Sequence, residues 1–243
     1  MDTLTISAAS GMRSRMEALD MLANNLANTE TGGYKTDREF YNLYVSAEAS
    51  AADGDAATTE PVIERPWTDF SQGVLRTTGS STDLALSGNG FFAVNGPSGT
   101  LFTRNGNFKV AADGTLTTTE GYAVLTTAGK TIKVQPSGTL TVSPEGDVSQ
   151  DGQSLGQVEI ADFSDTRALA KQGASYFHTA MAYKPASGVH VEQGKLESSN
   201  VGAAESAVRL VSVMRQFEML QKAASLGTQM NRESVEEVAK VAS

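Results

Sequence analysis

The chain has 243 residues, of which 40% are hydrophobic, so it can bury a sizeable core in one or two domains. Its 28 acidic and 19 basic residues give a net charge of -9, which argues against the positive surface that nucleic-acid binding requires. The lack of cysteine excludes disulfides, thiolate metal ligands and thiol nucleophiles.

The N-terminal segment lacks the pattern of a targeting sequence. Residues 1–10 contain no basic segment followed by a long apolar run, so a cleaved secretory signal is not expected. No apolar stretch approaches the roughly 18 residues that a membrane span requires. These patterns favour a cytoplasmic protein, and they leave open export by a route that removes no signal.

A helix is predicted over residues 3–28, which contain helix-forming residue types, no proline and one early glycine. Apolar side chains recur in it at alternating intervals of three and four residues, which forms one narrow stripe. The stripe consists of Ala9, Met12, Met16, Leu19, Ala23 and Leu26. Its methionines and small residues suit close contact with other helices. The helix is expected to end before Gly32 and Gly33.

A change of composition follows this helix. Residues 46–59 consist almost entirely of Ala, Ser, Asp, Glu, Gly and Thr, which offer few large apolar side chains for packing. We therefore predict a flexible linker at residues 46–61, after an N-terminal helix and loop at residues 1–45.

An antiparallel β domain is predicted over residues 62–195. Short apolar runs alternate there with turn signals such as Asn105-Gly106 and Asp113-Gly114. The apolar run at residues 91–94 predicts a strand that is buried on both faces. The pattern does not distinguish a sandwich from a barrel.

The segment 196–243 is predicted to contribute the C-terminal helix of the assembly domain that the N-terminal helix begins. Its apolar stripe consists of Leu210, Met214, Phe217 and Ala224. Polar Gln221 lies in the same line, and Val208 and Val211 widen it. The expected fold is therefore mainly β with terminal α-helices: an antiparallel β domain is inserted between two helices that form a coiled-coil-like helical domain.

We predict no catalytic, cofactor-binding or metal-binding residues. His178 and His190 are not spaced as metal ligands on one helix. Residues 87–90 are rich in glycine but lack the lysine and the following helix of a phosphate loop, so a tight turn is expected. Carboxylates in turn contexts show no pairing for acid and base catalysis. They belong to Asp83, Asp113 and Asp147.

The two apolar stripes allow two interpretations. Each stripe can pack against the β domain of the same chain, or the helices can pack on each other and on helices of neighbouring subunits. The narrowness of the N-terminal stripe favours the second interpretation, because a helix lying on a sheet carries a broader apolar face. We therefore predict that the stripe residues form an assembly interface.

Motifs along nearly the whole chain resemble those of the bacterial flagellar rod and hook family. They lie, in order, at residues 23–35, 83–94, 102–108, 113–116, 121–125, 194–201 and 215–218. The motif residues are Asn24, Asn25, Leu26, Asn28, Gly33, Tyr34, Lys35, Gly90, Phe91, Phe92, Thr103, Arg104, Gly106, Leu196, Glu197, Ser199, Asn200 and Val201. Their order along the chain makes chance a poor explanation.

The resemblance implies a structural subunit without a cofactor or a small-molecule substrate. It implies export by the flagellar type III apparatus without signal cleavage, and helical self-association with other rod and hook subunits in the periplasm-spanning rod. The similarity is greatest to subunits of the proximal rod, with a distal-rod or hook subunit as the alternative.

One alternative from another class stays open from the residues alone. A secreted β-rich adhesin or binding module would need an exposed aromatic platform, and Trp67 is the single tryptophan. An enzyme acting on the cell wall is not expected, because it would need an acid and a base that converge in a cleft, and the sequence gives no sign of such a pair.

Overall fold

The computed structural model of the chain describes residues 3–39, 41–45, 59–63, 67–135 and 138–241. Within those ranges, short β-strands lie between an N-terminal and a C-terminal α-helix, which confirms the predicted class of a mainly β protein with terminal helices. The chain divides into two compact units. The helical unit comprises Met1–Ala27, Asp37–Trp67 and Gly202–Ser243, and the β unit comprises Asn28–Thr36 and Thr68–Val201.

The helical unit contains helix α1, Thr3–Ala27, and helix α2, Ala203–Val241. Its strands are β1 (Asp37–Arg38), β2 (Tyr41–Val45) and β3 (Thr59–Ile63). Strand β4 (Trp67–Thr68) begins at the last residue of this part of the unit. β2 and β3 form an antiparallel pair, and β1 pairs with β4. Neither helix, in its described residues, has the length and apolarity needed to cross a membrane.

Helices α1 and α2 pack against each other in antiparallel directions. A Cβ atom at Gly11 would lie 3.3 Å from Cδ1 of Leu220, while Ala18 and Leu22 form a buried cluster with Val213. The glycine therefore allows the two helices to approach closely. Near the end of α1, the amide of Asn25 donates to the backbone carbonyl of Asp37 at 2.8 Å and its oxygen accepts from the Asp37 N–H at 3.0 Å.

Most of the predicted linker lies outside the described residues, at 46–58. Its last residues, Thr59–Pro61, belong to β3. Residues 196–201, which precede α2, lie in the β unit.

The β unit is built around one sheet in which nine strands are described. They are β7 (Phe91–Gly96), β8 (Gly99–Thr103), β9 (Phe108–Val110), β10 (Leu116–Thr118), β11 (Ala123–Val124), β15 (Ile160–Asp162), β16 (Ala170–Gln172), β17 (Tyr176–His178) and β18 (Lys184–Pro185). The order along the sheet is β16-β17-β8-β7-β11-β10-β9, and β15 pairs with both β7 and β18. The neighbouring strands run antiparallel, as predicted.

Smaller sheets complete the β unit. Their strands are β5 (Leu75–Thr77), β6 (Leu84–Ser87), β12 (Leu140–Val142), β13 (Asp147–Gln150), β14 (Gln153–Gln157), β19 (His190–Gln193) and β20 (Lys195–Glu197). β12, β13 and β14 form a three-stranded sheet, while β6 pairs with β19 and β5 with β20. A 3-10 turn at Thr166–Ala168 is capped by the carboxylate of Asp165.

Strand β7 lies between two hydrophobic clusters. Phe92 and Val94 belong to the larger cluster, and Phe91 and Ala93 to the smaller one. Successive side chains of a strand point to opposite faces, so both faces of β7 are covered, as the apolar run predicts. Edge-to-face ring contacts fill both clusters: the Phe92 and Phe108 ring centroids are 5.2 Å apart.

Candidate functional site

The predicted stripe on α1 lies largely on the side of that helix away from α2. Met16 is 53% exposed, and Ala9 and Ala23 are exposed as well, whereas Met12, Leu19 and Leu26 are half-buried. The buried positions are instead Ser14, Ala18, Leu22 and Asn25. At about 100° per residue, Met16 points opposite to Ser14 and Ala18. The stripe is therefore open to partners over part of its width.

Helix α2 carries apolar residues on two sides. One side faces α1. Its apolar residues recur at intervals of three and four, at Leu210, Val213, Phe217, Leu220 and Ala224. The outer side carries Val208, Val211, Met219 and Leu226, which are exposed. Of the predicted stripe, Leu210, Phe217 and Ala224 are half-buried, and Met214 is 47% exposed.

The exposed large hydrophobic residues of the described chain are concentrated on the helices. Seven of eleven lie on α1 or α2. They are Met16, Val208, Val211, Met214, Met219, Leu226 and Met230. Contiguous exposed apolar side chains mark surfaces that bind other proteins. The outer sides of α1 and α2 are therefore candidate assembly surfaces.

A buried ion cluster in the β unit joins three motifs that lie far apart in the sequence. Nζ of Lys35 is 2.6 Å from Oε1 of Glu197, and a guanidinium nitrogen of Arg104 is 3.4 Å from Oε2. The three residues are at most 2% exposed. Lys35 also donates to the Ser71 carbonyl at 2.7 Å, and Glu197 accepts from the Gly73 N–H at 2.8 Å.

Burial opposes the charges of this cluster, and the carboxylate of Glu197 supports them. Removal from water lowers the pKa of Lys35 and of Arg104 below their ordinary values, and Glu197 counteracts both shifts. Asp69 also favours the charged form of Lys35, and Asp162 that of Arg104. One carboxylate in direct contact with two cations makes Glu197 the central residue of the cluster.

Arg104 is fixed by the fold around it. It donates to the Gly88 carbonyl at 2.8 Å, and its guanidinium carbon lies 5.3 Å from the centroid of the Phe91 ring. Gly106 allows the following turn, since a Cβ atom there would lie 1.6 Å from the carbonyl oxygen of Leu84. The motif around Arg104 thus combines a charge, its aromatic neighbour and a close backbone approach.

The loop after α1 and the segment before α2 bind each other beside the cluster. Gly33 has φ +66° and donates its N–H to the Glu197 carbonyl at 2.8 Å. The amide oxygen of Asn200 accepts from the N–H and hydroxyl of Thr36 at 2.8 and 2.7 Å. The amide nitrogen of Asn200 donates to the Asp69 carbonyl at 2.8 Å. Asn200 therefore bridges two loops.

The other motif residues also have structural roles in their own unit. Tyr34 is buried under Lys171, whose Nζ lies 4.2 Å from its ring centroid. Thr103 donates to the Ser175 carbonyl at 2.7 Å, and Asn28 accepts from the Thr31 hydroxyl at 3.0 Å. Ser199 accepts from the N–H of Val201 at 3.2 Å. The rest are Asn24 on α1, Gly90 at the start of β7, and Leu196 in β20.

The polar residues considered for chemistry do not converge. His178 and His190 are exposed in different sheets, and the exposed carboxylate of Asp113 contacts Lys133 at 2.8 Å. Across the described ranges, no three His, Asp or Glu side chains are grouped to hold a metal ion. Lys35 and Glu197 are sealed from solvent, so they hold the fold and cannot reach a substrate.

Sequence reasoning missed two sets of residues. Ser71 and Gly73 support the ion cluster through backbone groups, which leave no side-chain signal in the sequence. Val213 lies at the contact between the helices, and Ser14 is buried on α1, although apolar periodicity favours the outer side of α1. Gly11 was the signal in the sequence that could have indicated this contact, because a glycine inside a helix usually has a packing reason.

These features define a structural protein: its β unit is locked by buried charges, and its terminal helices expose apolar sides. Three family profiles match the chain in order: "Flagella basal body rod protein" at residues 7–35, "Flagellar hook protein FlgE/F/G D1 domain" at residues 85–150, and "Flagellar basal body rod FlgEFG protein C-terminal" at residues 192–236.

Full-length relatives agree with the profiles. The chain is 30% identical to the flagellar basal-body rod protein FlgF of Caulobacter vibrioides, over 92% of each chain. It is 32% identical to FlgG of Borreliella burgdorferi, over 89% of this chain and 91% of the relative. It is 28% identical to FlgG of Bacillus subtilis, over 94% and 96%. The chain belongs to the family of flagellar basal-body rod proteins.

Proposed function

We propose that this chain is a structural subunit of the bacterial flagellar basal-body rod, and that it assembles through α1 and α2. The observation that carries the proposal is the set of apolar side chains on the outer sides of both helices. Their exposure costs free energy in an isolated chain, and burial against neighbouring subunits would recover it. The residues assigned to these contacts include Ala9, Met16, Ala23 and Met214.

The assembly is proposed to be helical and to include other rod and hook-family subunits. An apolar surface on α1 and a different one on α2 suit a heterologous contact, which continues from subunit to subunit instead of closing on itself. The intervals of three and four residues along the inner side of α2 support coiled-coil-like packing with α1. Export by the flagellar type III apparatus without signal cleavage belongs to the same proposal.

A position in the proximal rod, as a FlgF-type subunit, is favoured by the alignments. The alignment with FlgF of C. vibrioides spans 226 positions. About 224 residues of this chain, 92% of its 243, take part in it, so the chain fills nearly all of these positions without gaps. The alignment with FlgG of B. burgdorferi spans 244 positions, and 89% of this chain, about 216 residues, takes part in it. A much larger share of these positions is therefore occupied by a gap in this chain. FlgG of B. subtilis extends to 257 positions. A distal-rod, FlgG-type subunit is the alternative.

The proposal includes no catalytic step. Lys35 and Glu197 of the buried ion cluster are sealed in the β unit, where they can neither bind nor transform a substrate. Their burial supports a role in holding the fold.

A deletion strain tests the rod assignment. We expect cells without the gene to lose swimming motility, and their isolated basal bodies to lack a complete rod. Normal motility with intact rods would contradict the proposal. Complementation with the unchanged gene should restore both properties.

A substitution on α2 tests the assembly surface. Met219→Asp places a charge where an apolar contact is proposed, and burying an unpaired charge is strongly unfavourable. We expect the purified variant to keep the melting temperature of the wild type, because Met219 is 61% exposed, but to fail in complementation. Met219→Leu, which keeps an apolar side chain at the same position, is the matched control and should restore motility. Full motility with Met219→Asp would remove the outer side of α2 from the interface.

A further inference from the structure

The loop 28–36 and the segment 195–201 are tied to each other inside the β unit, although they are separated by most of the chain. The Gly33 N–H donates to the Glu197 carbonyl at 2.8 Å, and the Asn200 N–H donates to the Tyr34 carbonyl at 3.3 Å. The Lys35 ammonium and the Glu197 carboxylate add the ion contact of 2.6 Å. The two segments therefore share backbone and charged contacts.

Both segments also bind a third segment of the chain, residues 69–74. The Asp69 N–H donates to the Thr36 carbonyl at 2.8 Å, and the Ser198 N–H donates to the Val74 carbonyl at 2.9 Å. Between these points, Ser71 accepts from Lys35 and Gly73 donates to Glu197. At Gly73 a Cβ atom would lie 2.0 Å from the Ser198 carbonyl oxygen, so this stretch and the C-terminal segment are in the closest backbone contact.

The charges make independent undocking of either segment costly. If residues 28–36 left, Glu197 would keep Arg104 at 3.4 Å as its direct cationic contact and lose the shorter contact to Lys35. If residues 195–201 left, Lys35 and Arg104 would both lose the carboxylate they contact. A buried charge that loses its partner is strongly destabilising, whereas the loss of both members is much less so.

We infer that the Lys35–Glu197–Arg104 cluster is a two-ended clasp, in which residues 28–36 and 195–201 dock on the β unit and leave it as one cooperative element. Arg104 is the fixed member, held by β8 and the loop after it, and Glu197 is the positioning residue that couples the two segments. This inference goes beyond the proposed function, because it concerns how the chain holds the segments next to its terminal helices. It does not depend on which structure the subunit enters.

Hydrogen exchange of the full chain tests the clasp, with Lys35→Met and Glu197→Gln measured separately. Each variant should accelerate exchange by roughly a hundredfold in both segments, at the amides of Gly33, Thr36, Ser198 and Asn200. Amides of β7 and β10 should exchange as in the wild type. The coupling is the decisive readout: Lys35→Met must release the C-terminal segment, and Glu197→Gln must release the loop.

Glu192→Gln is the matched control, because Glu192 contacts Lys195 in the same part of the chain but is partly exposed. Its exchange pattern should equal that of the wild type. Acceleration confined to the mutated segment would overturn the clasp, and so would equal acceleration throughout the β unit, which a purely structural role predicts.

A triple variant keeps the test decisive if the single variants unfold. Lys35→Met with Arg104→Met and Glu197→Leu removes all three charges of the cluster and retains apolar bulk, so it should restore slow exchange in both segments relative to either single variant. Exchange as fast as in the single variants would show that the charges do not couple the segments, and would overturn the inference.

Discussion

The two units of the molecule bury apolar surface to very different extents. The β unit contains hydrophobic clusters of 16 and seven buried residues, whereas α1 and α2 share a cluster of three among the residues whose burial is described. Yet α2 alone is 39 residues long. The β unit thus resembles a self-sufficient domain, while the helices leave much of their apolar surface exposed.

The largest expected effect comes from the core of the β unit. Phe92 is fully buried and packs on Phe108, so Phe92→Ala should lower the free energy of unfolding by about 3–5 kcal/mol. Urea unfolding of the purified protein, with hydrogen exchange of the β7 amides as the readout, measures this loss. Val74→Ala, at a residue of the same unit that is 73% exposed, is the control and should change stability by less than about 0.5 kcal/mol. Similar losses in both variants would break the comparison.

A smaller effect is expected between the helices. Val213 is 5% exposed, and Val213→Ala removes two buried methyl groups. The free energy of unfolding of the helical unit should therefore fall by about 1–2 kcal/mol. Thermal unfolding followed by circular dichroism at 222 nm measures it. Val208→Ala, on the same helix at 72% exposure, should leave the melting curve of the monomer unchanged. If Val208→Ala destabilised the monomer as much, the outer side of α2 would be packed within the chain.

The smallest expected effect is a pH dependence of the β unit. Burial, together with the hydrogen bond donated to Glu120, raises the pKa of Tyr176 above its ordinary value of 10.0. The phenol ionises more readily in the unfolded chain, so its contribution to stability is complete below pH 10 and declines above it. The decline is limited to about 1.4 kcal/mol per pH unit. Urea unfolding at pH 9, 10 and 11 should show a steeper loss for the wild type than for Tyr176→Phe, and parallel losses would contradict the shift.

Local patterns predicted both helices and the β-rich body of this fold, but not strand β2 or the start of β3, which fall in the predicted loop and linker. Apolar intervals of three and four residues placed α1, observed at Thr3–Ala27, and turn signals between short apolar runs placed the antiparallel strands. The run at residues 91–94 correctly predicted a strand buried on both faces. Such features depend on neighbours within one element, so a single sequence contains them. The family was likewise recognised from motifs and is confirmed by the relatives.

Local patterns could not predict which side of each helix packs against the other helix. Periodicity on α1 identifies Ala9, Met16 and Ala23 as part of one apolar stripe, but Ala18 and Leu22 form the buried cluster with Val213 of α2. Of the predicted stripe, Leu19 packs against this cluster. Gly11 allows Leu220 of α2 to approach closely, because a Cβ atom there would lie 3.3 Å from Cδ1 of Leu220. The assignment of the stripe to contacts between subunits stays a prediction.

The sequence by itself determined the succession of an N-terminal helix, a β-rich body and a C-terminal helix, the family, and the motifs that contain Lys35, Arg104 and Glu197. Only the tertiary structure decided that these three side chains meet in one buried cluster, and that Ser71 and Gly73 complete it through their backbone. The physical reason is that a buried charge is tolerated only where its partner is within contact distance. That partner lies 162 positions away for Lys35, beyond the reach of any local pattern.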